Sequence, residues 1–162
     1  IKPEIAEVSP QFFKTTFANY ELIASENDRI FEYENRIYRP FMTDQLLLKQ
    51  LMTILFDNAI KYTEEDGKIE FVVHATDRHL YLTVTDNGIG ISDADKKKIF
   101  DRFYRVDKAR TRQKGGFGLG LSLAKQIVDA LRGTISVKDN KPRGTIFEVK
   151  IAIQSPPKRK NK

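Results

Sequence analysis

Three short polar and glycine-containing segments carry the side chains that could do chemistry in this chain. In order they are DNAIKY at 57–62, DNGIG at 86–90 and GGFGLG at 115–120. They combine amide, ammonium and carboxylate groups with glycines, which let a ligand approach the backbone closely. None of the segments is decisive alone. Together, in this order, they indicate a pocket for an adenine nucleotide.

The first segment lies on a predicted helix whose apolar face contains one amide. The positions sharing that face at 3.6-residue spacing are Leu47, Leu51, Ile54, Leu55, Asn58 and Tyr62. We expect the face to point at the core, where an unpaired amide costs about 1–3 kcal/mol. Asn58 therefore either bonds nearby backbone or offers its carbonyl oxygen to Mg²⁺, which prefers oxygen ligands. Lys61 could reach a phosphate, or it could be an ordinary surface lysine.

The acid of the second segment ends a predicted strand. The alternating positions that share its inward face are Leu80, Leu82, Val84 and Asp86. A carboxylate facing inward needs donors. The exocyclic amine of adenine is such a donor, whereas guanine presents a carbonyl there, so Asp86 favours ATP over GTP. The alternative is a turn aspartate, and Gly88 and Gly90 fit either interpretation.

The third segment precedes or opens a helix. Free backbone N–H groups at a helix start, next to glycines without side chains, form an anion site. A flexible linker into the helix is the alternative. Two familiar nucleotide motifs are absent, because no Gly-Lys pair is followed by Ser or Thr and no third glycine follows Gly88 and Gly90 at the dinucleotide-binding spacing.

Charge is concentrated in two places. The net charge is +6 over 162 residues, and the tail 155–162 holds four of the basic residues and no acid. We expect this tail to be disordered. Residues 96–114 carry nine basic and two acidic residues. This block is either a solvated helix face with a loop or a flexible positive cover for a polyphosphate, and its place between the glycine segments favours the cover.

Other properties of the whole sequence limit the class of protein. The chain lacks cysteine, which excludes disulfides and thiolate metal sites, and has no apolar run of membrane-spanning length. It begins at Ile1 and reads as a piece of a longer protein with a reducing cytoplasmic setting.

These segments must be positioned by a predicted set of helices and hairpin-linked strands. The predicted helices are 9–25, 43–62, 93–103 and 118–131, with a mobile loop at 106–117. The predicted strands are 29–33, 69–75, 80–85, 134–138 and 145–153, with a possible short strand at 4–8. This alternation predicts a two-layer α/β sandwich with helices on one face of a mixed sheet.

The ordered segments resemble the catalytic, ATP-binding domain of sensor histidine kinases, within the wider group of gyrase B, Hsp90 and MutL ATPases. DNAIKYT resembles the N box, DNGIGI the first glycine box, IFDRFYRVD the F box, GGFGLGLSLAKQIV the second glycine box and GTIFEV the closing strand. The resemblance covers roughly 28–152. It implies the Bergerat fold, about three main helices over a mixed five-stranded sheet, in one domain at 1–154 with an ATP lid at about 92–117.

The resemblance also implies a set of nucleotide-contacting residues. They are Asn58, Lys61, Tyr62, Asp86, Gly88, Gly90, Ile91, Arg102, Arg105, Gly116, Gly118, Leu119, Gly120 and Thr145. Asn58 would hold Mg²⁺, and Lys61 and Arg105 would contact phosphates, so these three form the expected catalytic group. Phe100 and Phe103 would anchor the lid, or they are simply core aromatics.

The implied activity is that of a protein-histidine kinase. The domain would bind Mg-ATP and donate the γ-phosphoryl to a histidine on a separate dimerisation domain, for relay to an aspartate of a response regulator. His74 and His79 do not lie in a segment of the phosphoacceptor type. The acceptor is therefore expected outside this chain, in a homodimeric parent in the cell membrane, with no membrane contact by this segment.

One departure from the family pattern keeps an alternative open. Many members carry a polar residue four positions before Asn58, and the gyrase and Hsp90 branch uses a glutamate there to activate water. This chain has Ile54, which cannot accept a proton. A nucleotide-gated interaction module without phosphotransfer is the second hypothesis. Nucleic-acid binding through the basic tail is a third, and nucleic acid is not among the expected partners.

Overall fold

The computed structural model describes residues 1–104 and 120–158. Its helices are α1 (Gln11–Glu26), α2 (Gln45–Tyr62), α3 (Asp93–Lys96) and α4 (Gly120–Ala130). Its strands are β1 (Ala6–Val8), β2 (Ile30–Arg36), β3 (Phe41–Thr43), β4 (Lys68–Ala75), β5 (His79–Asp86), β6 (Thr134–Asp139) and β7 (Thr145–Ala152).

The main sheet is five-stranded and mixed, with the order β2-β4-β5-β7-β6. Strand β2 runs parallel to β4, and the remaining pairs are antiparallel. Burial alternates along β5 and β7, so one face of the sheet is covered by helices. This confirms the predicted two-layer architecture.

A second, two-stranded sheet was not predicted. Strands β1 and β3 pair antiparallel, and Met42 forms an isolated bridge to Gln154 beyond the end of β7. Strand β3 has three residues, too few to produce a recognisable alternation. Its partner lies in a distant segment of the chain, so local sequence carries no sign of the pairing.

Helix α2 begins two residues after the predicted start at 43. The Asp44 carboxylate accepts from Leu47 N through Oδ1 at 2.9 Å, which satisfies one of the free N–H groups of the first turn. Its other oxygen, Oδ2, accepts from Glu4 N at 2.8 Å. Asp44 therefore both caps α2 and holds the N-terminal segment against it.

The core below α1 and α2 is rich in aromatic rings. The rings of Tyr20 and Phe56 stack with centroids 4.2 Å apart, and Phe31 and Phe71 surround them at edge-on and tilted angles. The Tyr20 hydroxyl is paired with Thr53 Oγ1 at 2.7 Å. Burial raises the pKa of Tyr20, so the phenol stays neutral inside this cluster.

The predicted helix over 93–103 is wrong for most of its length. Only Asp93–Lys96 is helical, and turns follow as far as Tyr104. Phe103 has a φ of 68°, in the left-handed region that a continuing helix does not use. The other predicted elements keep their type, and within the described residues their ends lie at most three residues from the predicted ones. The predicted loop 106–117 lies outside the described residues.

No helix within 1–104 and 120–158 combines the length and the apolar character needed to cross a bilayer.

Candidate functional site

The carboxylate of Asp86 is buried at the C-terminal end of β5. Its side chain follows Leu80, Leu82 and Val84 on the inward face, as predicted, and the residue is 4% exposed. Oδ1 accepts from Gly88 N at 2.8 Å and from Thr145 N at 3.3 Å. Burial raises the pKa of Asp86 to about 6, and the two backbone hydrogen bonds oppose that rise.

The distribution of these bonds over the carboxylate matters for its chemistry. Within the described part of the chain, both recorded bonds to the Asp86 side chain use Oδ1. A carboxylate can accept at both oxygens. The backbone therefore fixes the orientation of the group through one oxygen, and Oδ2 can accept from a ligand.

The segment after β5 is packed directly against the end of α2. A Cβ on Gly88 would lie 2.0 Å from the Tyr62 carbonyl oxygen, so no residue larger than glycine fits there without a backbone shift. The same carbonyl accepts from Ile89 N at 3.0 Å. This contact brings the end of the first predicted segment next to the second.

The turn between β6 and β7 completes the surroundings of Asp86. Asn140 donates through Nδ2 to the Asp86 carbonyl oxygen at 3.0 Å. Gly144 has a φ of 115°, and a Cβ on it would lie 1.9 Å from the same oxygen. The predicted strands 134–138 and 145–153 imply a turn here, but neither Asn140 nor Gly144 was among the predicted site residues. The glycine directly before Thr145 was the available signal.

The polar residues of α2 lie at the edge of the core, not within it. The buried positions of this helix are Leu48, Leu51, Met52, Leu55, Phe56 and Ala59. Asn58 and Tyr62 are half-buried, as are Leu47 and Ile54. The predicted core-facing surface is therefore confirmed only in part, because Leu51 and Leu55 are buried whereas Asn58 is half-buried at its edge. The buried stripe is rotated from the predicted one because α2 packs on both the sheet and α4.

Ile54 has a packing role in this structure. Its Cγ2 would lie 3.6 Å from a Cβ on Gly120, the first residue of α4. This is ordinary van der Waals separation. The apolar side chain that replaces the usual polar residue thus lies beside the start of α4, near the third predicted segment.

The residues after Gly90 continue the same wall of the site. Gly90 has a φ of 75° and Ile91 is half-buried against the core. Ser92 Oγ accepts from Asp95 N at 3.2 Å and caps α3. Further on, the Phe100 ring lies 6.3 Å from that of Phe147.

The two phenylalanines expected to anchor the lid differ. Phe100 packs against the core, whereas Phe103 is 61% exposed. The Arg102 guanidinium carbon lies 5.0 Å from the centre of the Phe103 ring. Phe103 is therefore not a core aromatic. The basic side chain of Arg102 lies over its exposed ring.

The structure places two of the predicted residues, Gly88 and Thr145, in direct contact with Asp86. Thr145 pairs with Asp86 in register, and Gly88, Gly90 and Ile91 follow it along the chain. Lys61 and Tyr62 lie in the last turn of α2 and are half-buried. Four predicted residues lie outside the described ranges: Arg105, Gly116, Gly118 and Leu119.

The described residues contain no group of three or more His, Asp or Glu side chains that could hold a metal ion. The sequence predicts one protein ligand, the amide oxygen of Asn58. Such a donor set suits a hard cation whose remaining ligands are phosphate oxygens and water.

Comparison with known proteins settles the family. The sequence model of the histidine kinase-, DNA gyrase B-, and HSP90-like ATPase family matches residues 43–155. The chain belongs to this family. The predicted Bergerat fold and the predicted family are both confirmed.

Curated relatives of this ATPase domain are sensor kinases. The chain is 79% identical over 160 residues to the sensor protein CiaH of Streptococcus pneumoniae. The sequences of the motifs point to the same relative. It is 45% identical over 101 residues, 62% of the chain, to the histidine-protein kinase ArlS of Staphylococcus aureus. The matches span 36% of CiaH and 22% of ArlS.

Solved structures of histidine kinases share the fold. The catalytic domain of ThkA matches with a TM-score of 0.77 and 25% identity, over 94% of this chain and 99% of that one. The mycobacterial kinase MprB matches with a TM-score of 0.74 and 25% identity, over 94% and 100%. Full-length ShkA, in complex with AMPPNP, matches with a TM-score of 0.80 over 96% of this chain and 32% of that one, at 21% identity.

Proposed function

We propose that this ATPase domain binds Mg-ATP beside Asp86 and serves as the phosphoryl donor of a sensor histidine kinase. The observation that carries the proposal is the buried Asp86 carboxylate, fixed through Oδ1 by Gly88 N and Thr145 N. A carboxylate held in this way accepts from an exocyclic amine. It repels the carbonyl oxygen that guanine presents at the same position.

The adenine side of the site is formed by backbone as much as by side chains. Gly88 and Gly90 lie on the segment that leaves β5, and Thr145 lies opposite Asp86 on β7. Tyr62 and Ile91 border this region from α2 and from the start of the lid segment. We assign these residues to the nucleoside.

The phosphate side is assigned to basic residues and to the glycine segment. Lys61 follows Asn58 by one turn of α2, where a flexible ammonium reaches phosphate oxygens. Arg102 and Arg105 belong to the basic block, and Gly116, Gly118, Leu119 and Gly120 cradle the triphosphate. Catalysis would consist of positioning and charge neutralisation, with Asn58, Lys61 and Arg105 as the active groups.

The metal is proposed to arrive with the nucleotide. Asn58 would provide one oxygen ligand from the protein, and phosphate oxygens and water would complete the coordination. Bound there, Mg²⁺ would neutralise charge on the phosphates.

The phosphoryl acceptor is proposed to be a histidine of a separate dimerisation domain. The chain spans about a third of the length of CiaH, which leaves room for such a domain in a parent of that size. ThkA has been solved in complex with the response regulator TrrA, at 25% identity to this chain. By analogy, the phosphoryl would pass on to an aspartate of a response regulator.

The rest of the proposed organisation follows the same analogy. Residues 1–154 form one ATP-binding domain with a core at 28–152 and a lid at about 92–117, followed by a basic tail at 155–162. The parent is a homodimer anchored in the cell membrane, and this domain lies on the cytoplasmic side.

Two measurements test the proposal. Calorimetric titration of the chain with ATP and with GTP, with and without Mg²⁺, should show Mg²⁺-strengthened binding of ATP and much weaker binding of GTP. Adding the dimerisation domain of the parent in trans with Mg-ATP should then produce acid-labile phosphohistidine. Equal affinity for both nucleotides contradicts the role of Asp86.

The second candidate function is a nucleotide-gated interaction module without phosphotransfer. The apolar Ile54 beside Gly120 keeps it open, because this side chain, unlike the usual polar residue, offers no oxygen ligand to a magnesium ion. Tight ATP binding without phosphohistidine, when the acceptor domain is present, would select this alternative.

A further inference from the structure

The turn between β6 and β7, residues 140–144, is tied to Asp86 and also to the start of the lid segment. Asn140 N donates to Gly144 O at 3.0 Å and closes the turn, while Asn140 Nδ2 holds the Asp86 carbonyl oxygen. Directly before the turn, Asp139 Oδ1 lies 2.7 Å from the Lys96 ammonium. Lys96 ends α3, six residues after Gly90.

These contacts form a closed ring of structure around the end of β5. The chain runs from Asp86 through Gly90 to Lys96, crosses the ion pair to Asp139, and returns to Asp86 through Asn140. A ring of this kind limits how far the segment between Asp86 and Lys96 can move away from the strand end. That segment contains the glycines assigned to the adenine.

Lys96 is less exposed than the cations of other ion pairs in the described ranges. Its side chain is 16% exposed and its ammonium is shared between Asp139 and Asp93, at 2.7 and 2.8 Å. In the neighbouring pair, Lys138 is 62% exposed and Glu148 is 45% exposed. Hydrogen bonds to Asp139 and Asp93 raise the pKa of Lys96, so the residue stays cationic.

From the sequence, Lys96 belongs to the basic block that was assigned to polyphosphate. The structure gives its ammonium two carboxylate partners of the protein itself. A direct phosphate contact would compete with both of them. The Lys96 ammonium is therefore placed to hold other residues in position rather than to contact a ligand.

We propose that Lys96 is a positioning residue for the nucleotide site. Through Asp139 it locks α3 to the β6–β7 turn and so keeps Gly88, Gly90 and Asp86 in their binding arrangement. This inference rests on the nucleotide binding proposed above. It adds a specific ion pair, remote from the nucleotide, on which the affinity depends.

The test compares ATP affinity in Lys96→Met, Asp139→Asn and the double variant by calorimetry. Each single variant should weaken ATP binding by about threefold to tenfold. The double variant should bind ATP no more weakly than the single variant with the lower affinity, because the two residues act through one contact. Lys96→Arg should restore most of the affinity. Lys138→Met, which breaks the exposed neighbouring pair, is the matched control and should bind like the unaltered chain.

A spectroscopic measurement separates positioning from general loss of stability. The side-chain amide signals of Asn140 in ¹⁵N-labelled protein should move in Lys96→Met and stay in place in Lys138→Met. Unchanged Asn140 signals together with unchanged ATP affinity in Lys96→Met overturn the inference, even if the melting temperature falls.

The outcomes also distinguish this inference from the proposed function. If the unaltered chain binds ATP and Asp86→Asn does not, while Lys96→Met binds normally, only the positioning role is lost. If the unaltered chain does not bind ATP, both proposals fail.

Discussion

Two aspartates of the described chain are almost excluded from solvent, and they are satisfied in different ways. Asp44 is 8% exposed and accepts one backbone N–H at each carboxylate oxygen, from Leu47 and from Glu4. Asp86 is 4% exposed and accepts both of its recorded bonds at one oxygen, from Gly88 and Thr145.

The difference separates a structural acid from a functional one. Asp44 lies at the N-terminus of α2, where the helix dipole favours a negative charge. Asp86 lies at the end of a strand, and burial raises its pKa to about 6. A buried carboxylate with acceptor capacity to spare opposes folding but is ready for a donor from a ligand.

The largest expected effect is on nucleotide affinity. Asp86→Asn should weaken ATP binding by about 10- to 100-fold, because it replaces a charged acceptor of the adenine amine with a neutral amide. Discrimination against GTP should narrow at the same time. Calorimetric titration with both nucleotides measures this. Asp44→Asn is the matched control and should leave the affinity of the folded protein unchanged.

The second prediction concerns the free energy of unfolding without nucleotide. Asp86→Asn should raise it by about 1–3 kcal/mol at pH 7, because the variant keeps an acceptor for Gly88 N and removes a buried charge. Asp44→Ala should lower it by about 1–2 kcal/mol through loss of the helix cap. Urea denaturation checks both values, and a fall in both variants would remove the distinction between the two acids.

The third prediction is that both the free energy of unfolding and the ATP affinity depend on pH through Asp86. The folded pKa of Asp86, about 6, lies above the ordinary value of 3.8. The folded chain therefore binds the proton more tightly, and the stability contributed by this group falls as the pH rises from about 4 to about 6. ATP affinity should change in the opposite sense, falling as the pH drops below 6, since a protonated carboxyl is a poorer acceptor.

Asp86→Asn provides the control for that pH dependence. Titrations between pH 5 and 8 should show an affinity that drops through pH 6 in the unaltered chain and stays flat over this range in the variant. The same drop in both proteins would assign it to another group.

The smallest expected change in ATP affinity is at Asn58. This residue is half-buried and has an amide where the two aspartates have carboxylates. Asn58→Ala should weaken ATP binding by about threefold to tenfold with Mg²⁺ present and change it little with a chelator present. Stability should stay nearly constant. Equal losses with and without Mg²⁺ would show that Asn58 acts through packing.

Part of this arrangement could be predicted because local periodicity reports it. Alternation along β5 predicted that Asp86 points inward, and it does. The predicted helix over 43–62 also matches α2, which starts at Gln45 and ends at Tyr62. The buried face of α2 was predicted only in part, because periodicity gives an apolar stripe but not the number of neighbours that the helix packs against.

Other features depend on contacts between distant parts of the chain. The β1–β3 sheet and the hold of Asn140 on Asp86 each join segments far apart in sequence. The role of Lys96 in a basic run was open to several interpretations, and its partner Asp139 becomes visible only after folding.

The sequence by itself determined the chemistry of the site residues, the elements that carry them and the direction in which Asp86 points. Only the tertiary structure decided how each buried acid is satisfied. Each acid has one donor close by in the sequence, Leu47 N for Asp44 and Gly88 N for Asp86. The second donor is distant, because Glu4 is 40 residues from Asp44 and Thr145 is 59 residues from Asp86. Periodicity describes neighbours along one helix or strand, whereas the unused acceptor capacity of a carboxylate depends on which distant backbone donors the fold brings to it.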